Sequence, residues 1–97
     1  MSGSRLRFEW DEVKARRNLR KHGVSFDEAV TVFEDPLALT VGDPDHSEDE
    51  QQYLYIGLST EARLLVVIYA ERAGTIRLVS SRRATGRERK LYEEEPT

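Results

Sequence analysis

Ninety-seven residues with 38% hydrophobic and 8% aromatic content bound one small domain around a single core. No apolar run approaches the length of a bilayer span, no apolar leader opens the chain, and there is no cysteine. A membrane protein, a disulfide scaffold and thiolate chemistry are therefore set aside, and a cytoplasmic protein is expected. The net charge of -3 hides a segregated pattern: the stretch from Gly23 to Ala62 holds ten acidic residues and no Lys or Arg, so all fifteen cations fall in the two ends.

Met1 to Ser4 reads as a flexible start, and residues 5–97 as one domain. Arg5-Leu6-Arg7-Phe8-Glu9-Trp10 alternates polar and apolar residues and suits a short edge strand. Asp11 is an N-cap for a helix over Glu12 to His22, and Gly23 supplies a left-handed C-cap. That helix is strongly basic, with Lys14, Arg16, Arg17, Arg20 and Lys21, and its apolar face is thin. Ser25-Phe26-Asp27-Glu28 has capping-box spacing. Phe26, Ala29, Val30 and Phe33 then make a clean helix face, which Asp35-Pro36 stops.

Four strands are predicted next. They cover Leu37 to Val41, Gln52 to Leu58, Arg63 to Glu71 and Thr75 to Ser81, with an acidic loop from Gly42 to Glu50. Leu64-Leu65-Val66-Val67-Ile68 is apolar on both faces, so its strand should be central. Short gaps between the strands indicate an antiparallel meander. A last helix is expected over about Thr85 to Glu94, opened by a capping box from Thr85 to Glu88. The fold class is therefore α+β: a twisted antiparallel sheet with two N-terminal helices and a C-terminal helix.

If the two basic ends pack together, they build a surface for phosphates on an acidic protein. The alternative is mutual neutralisation with the acidic middle. Arg82 and Arg83 precede the start of the last helix, where free backbone N–H groups and two guanidiniums together suit an anion. They also suit an ordinary solvated turn. His22 closes the first helix beside Lys21, with Asn18 one turn back. It is either a proton-transfer residue or a helix-end charge that favours the dipole. Glu88 and Tyr92 share a helix face and rank second for proton work. Arg63 and Arg77 belong to the second basic block. Asp43, Asp45 and His46 form a weak ligand set, and no metal or other cofactor is expected.

Together these residues resemble the BrnT family of toxins. The resemblance rests on Phe8-Glu9-Trp10-Asp11, Lys14, Asn18, Lys21-His22-Gly23-Val24, Phe26, Ala29, Phe33 and Asp35-Pro36 at the front. Asp45-His46-Ser47, Tyr53, Ile56-Gly57 and the strand from Leu64 carry the middle. Ile76-Arg77, Ser80, Arg82-Arg83-Ala84-Thr85, Glu88 and Tyr92 carry the end. The resemblance implies a RelE-like fold and a type II toxin, a small metal-independent endoribonuclease that stops translation. It also implies a cognate BrnA-like antitoxin with a ribbon-helix-helix part, through which alone the pair would meet DNA. On that basis His22, Arg82, Arg83, Glu88 and Tyr92 are the catalytic candidates. Lys14, Asn18, Lys21, Arg63 and Arg77 are the candidates for holding RNA. The rival expectation is a non-catalytic module whose basic surface binds nucleic acid or an acidic partner.

Overall fold

The computed structural model describes residues 6–42 and 51–94, so the stretch with Asp43, Asp45 and His46 lies outside the described residues. The first element is a strand, β1 (Arg7–Glu9), followed by α1 (Glu12–His22). Asp11 begins α1 by accepting the Val13 N–H at 2.8 Å, and Gly23 ends it at φ 72° with its N–H on the Leu19 carbonyl. Only a residue at ease in the left-handed region closes a helix that way without strain. Next comes α2 (Phe26–Thr31), capped by Ser25 Oγ on the Glu28 N–H at 3.0 Å. The predicted helical face runs on to Phe33, but the chain tightens into a 3-10 turn over Val32–Glu34. With that tightening Val32 joins the core and becomes fully buried.

Strands β2 (Leu39–Thr40), β3 (Gln52–Leu58), β4 (Leu64–Arg72) and β5 (Thr75–Arg83) form the antiparallel meander. The sheet order is β1-β5-β4-β3-β2. The predicted edge strand at the N-terminus is present, but it runs parallel to β5, with Phe8 opposite Ile76, so the five-stranded sheet is mixed. The central strand is β4, and Leu64, Leu65, Val66 and Val67 are buried along both of its faces. On one side Leu65, Val67, Ile76 and Leu78 pack against Val24, Phe26, Ala29 and Val32. On the other, Ile56, Leu64 and Val66 are covered by Ala84 and by Tyr92 of α3 (Gly86–Glu93).

The sheet has two further features with consequences for function and stability. Strand β5 extends two residues beyond the predicted Ser81, so Arg82 and Arg83 belong to the strand and not to a turn. At Gly57 the chain before β2 crosses β3 so closely that a Cβ would lie 2.7 Å from Val32 Cγ1 and 2.8 Å from Ala38 Cβ.

Candidate functional site

Strand β1 pairs with β5 only as far as Glu9 opposite Arg77, which leaves the rest of that edge of β5 to another partner. Asn18, in the middle of α1, takes that place. Its Nδ2 donates to the Ser81 carbonyl at 2.8 Å and to the Val24 carbonyl at 2.9 Å, while Oδ1 accepts the Ser81 N–H at 3.1 Å. The side-chain amide thus bonds both edge groups of Ser81 as the peptide of one more strand would, and α1 covers the edge. Among the described residues Asn18 is the only buried residue of α1. Its amide, expected to hold RNA, is committed to backbone.

This docking brings the basic helix against the basic strand. Between them lies a groove of about 310 Å³ lined by Lys14, Arg17, Asn18, Lys21, His22, Val79 and Ser80. Lys14, Arg17 and Lys21 follow the i, i+3, i+7 spacing of one helix face. All three are exposed, and among the described residues no acidic side chain lines the groove with them. Lys14, Lys21, His22 and Asn18, singled out from sequence, are therefore neighbours in space. Val79 and Ser80 were not among the candidates, because nothing local in the sequence marks where a helix lands on a sheet edge.

The far end of α1 is held by a second polar cluster. Arg63 donates from Nη2 to the Gly23 carbonyl at 3.1 Å, from Nη2 to Glu28 Oε1, and from Nε to Glu28 Oε2 at 2.9 Å. Ser59 Oγ donates to Glu28 Oε2 at 2.7 Å. The Arg63 guanidinium, more than any other neighbour, holds the Glu28 carboxyl below the usual carboxylate range. Capping-box spacing pointed Glu28 back at Ser25. In the structure it binds Arg63 instead, and Arg63, an expected RNA contact, becomes a clamp on the residue that follows His22.

Arg82 and Arg83 do not face one anion together. Arg82 pairs with Val66 and Arg83 with Leu65, and those two partners belong to opposite faces of the sheet. Arg82 forks onto Glu88, with Nη1–Oε1 and Nη2–Oε2 both at 2.8 Å. Glu88 also accepts the Thr85 N–H at 2.8 Å, completing the predicted capping box. The Arg82 guanidinium, and after it the Thr85 N–H, overcome burial and hold the Glu88 carboxyl down at about 2. Arg83 is exposed on the other face, where its charge reaches Glu28. Tyr92 donates its hydroxyl to Asp35 Oδ2 at 2.7 Å. Burial and that carboxylate push its phenol up to about 12. Arg77 lines a separate groove with Glu9, Trp10 and Asp11.

Among the described residues, no three His, Cys, Asp or Glu stand close enough to share a metal ion, and no helix is long and apolar enough to cross a membrane. The family model described as "Ribonuclease toxin, BrnT, of type II toxin-antitoxin system" matches residues 10–88. Among solved structures, the crystal structure of the Brucella abortus ribonuclease toxin BrnT is similar, with a TM-score of 0.64 and 20% identity, over 84% of this chain and 99% of that one. At that identity the likeness speaks for the fold. No curated protein sequence matches the chain.

Proposed function

This chain belongs to the BrnT family of ribonuclease toxins of type II toxin–antitoxin systems, and on that premise we propose that it cuts RNA without a metal ion at the groove between α1 and β5. A base removes the proton of a ribose 2′-hydroxyl, and the 2′-oxygen attacks the adjacent phosphorus. The 5′-oxygen leaves and takes up a proton, which yields a 2′,3′-cyclic phosphate and a 5′-hydroxyl. His22 is assigned the proton transfer, because among the described residues it is the one imidazole that lines the groove, and an imidazole can both accept and donate a proton. Lys14, Arg17 and Lys21 hold the RNA backbone and offset the charge that grows on the phosphoryl oxygens. Arg83 does not line the groove, but it is exposed near Glu28 and is the arginine of the Arg82–Arg83 pair not tied to Glu88, so it is assigned to that phosphate as well.

Glu88 and Tyr92 are assigned to holding α3, since a carboxyl near 2 and a phenol near 12 are both far from the pH of a neutral proton transfer. A cognate antitoxin, BrnA-like and with a ribbon-helix-helix part, neutralises the toxin and supplies the pair's contact with DNA. The setting is the cytoplasm. The observation that carries the reading is the convergence of His22 with three cations on one groove whose lining, among the described residues, holds no acid.

Incubation of purified protein with long RNA in EDTA tests it. Fragments with cyclic phosphate ends are expected. His22→Ala should lose at least about a hundredfold in cleavage rate, the scale of general acid–base catalysis, while melting at the parental temperature. Intact but retarded RNA would assign the chain to the non-catalytic binding class instead.

A further inference from the structure

Two consecutive residues of one strand line the groove, which the alternation of a regular strand forbids. The register explains it. Leu78 stands opposite Tyr69 and Ser80 opposite Ile68, so Val79 has no opposing residue and β5 is bulged there. A bulge bends a strand and re-aims its side chains. Here it turns an apolar side chain and a hydroxyl toward the same space as His22. The Ser80 hydroxyl is only loosely held, because its distance to Asn18 Oδ1 is 3.4 Å and that oxygen already accepts the Ser81 N–H at 3.1 Å. Asn18 itself has no donor left over, with both directions of Nδ2 engaged by carbonyls.

The geometry points to a nucleobase subsite: the groove takes one unstacked base of single-stranded RNA against Val79, with the Ser80 hydroxyl bonded to the base edge. At about 310 Å³ the space lies at the lower end of the 300–1,000 Å³ range of ligand pockets, on the scale of one base with its sugar. A duplex does not supply that base, because its bases are stacked and their pairing edges are occupied, whereas a single strand splays its bases outward. Lys14, Arg17 and Lys21 carry phosphates of any sequence; Val79 and Ser80 are the residues that discriminate between bases. This inference rests on the reading that RNA is cut at this groove.

The test maps the cleavage ends of a long single-stranded RNA of mixed sequence by sequencing, for the parental protein and for Ser80→Ala, Ser80→Thr, Val79→Trp and His22→Ala, with a melting curve for each. The parental protein should prefer one base at one fixed position relative to the cut. Ser80→Ala should change that preference by about fivefold, the value of one hydrogen bond, at that position and no other. Ser80→Thr, which keeps the hydroxyl, should retain it. Val79→Trp narrows the groove with the hydroxyl in place and should shift the preference at the same position. A profile unchanged in both Ser80→Ala and Val79→Trp overturns the subsite even if His22→Ala is inactive. A shifted profile together with a fully active His22→Ala keeps the subsite and removes His22 from the chemistry.

Discussion

Asn18 shows how much one side chain decides. Its amide satisfies three backbone groups, two of Ser81 on the edge of β5 and the buried Val24 carbonyl between α1 and α2. Asn18→Ala leaves those groups without partners and should cost about 1–3 kcal/mol in chemical denaturation. Asn18→Asp should cost more at neutral pH, because a carboxylate oxygen would replace Nδ2 against two carbonyl oxygens. A smaller loss for Asp than for Ala would mean that the amide does not hold the edge. Glu88 makes a second case, legible in pH. Its folded value of about 2 lies below the ordinary 4.5, so its contribution is complete above about pH 4.5 and is lost as pH falls toward 2. The size is about 2 kcal/mol, less than the full shift implies because the Arg82 partner is 32% exposed. Glu88→Gln should flatten that acid limb of the stability curve. An equally steep limb in the variant would move the effect to Glu28 and Asp35, whose carboxyls are also held low.

Among the elements, α3 is an eight-residue helix with no buried residue, so its ends and latches matter more than its face. Thr85→Ala removes the N-cap and should cost on the order of 1 kcal/mol. For a domain of this size that is a fall of about 4–8 °C in melting temperature. An unmoved melting temperature would mean that the Arg82 fork alone sets the start of α3. The crossing of the 3-10 turn over β3 depends on a missing side chain. Gly57→Ala puts a Cβ within 2.8 Å of Val32 Cγ1, in the core, and of Ala38 Cβ, which is half-buried. Overpacking of this kind costs about 1–3 kcal/mol, so Gly57→Ala should melt lower by a margin that calorimetry resolves.

At the scale of the whole molecule, α1 docks on β5, and the cations of the groove between them all come from α1. A protein of net charge -3 thereby presents a local cationic groove. RNA binding should weaken steeply with salt, with a slope of about 0.7 for each phosphate neutralised on a single strand. Reversing Lys14 and Lys21 to Glu should lower both the affinity and that slope in a titration across salt concentrations. A lower affinity with an unchanged slope would place the RNA path on another face.

Periodicity and caps were enough to read α1, α2, α3 and the meander, because helix ends and strand alternation are local properties: Asp11, Ser25, Gly23 and Thr85 act within a few residues of themselves. The two-sided apolar run from Leu64 placed the central strand for the same reason. The parallel pairing of β1, the bulge at Val79 and the landing of Asn18 on Ser81 join residues far apart in the chain, and no local pattern encodes them. The pair Arg82 and Arg83 marks the boundary most sharply. As residue types they were legible as an anion site, but two more residues of strand pairing put them on opposite faces of a sheet. Glu28 marks it too: its spacing fitted a cap, yet a buried carboxylate gains more from a guanidinium than from a backbone N–H, and Arg63 is brought within reach only by the fold.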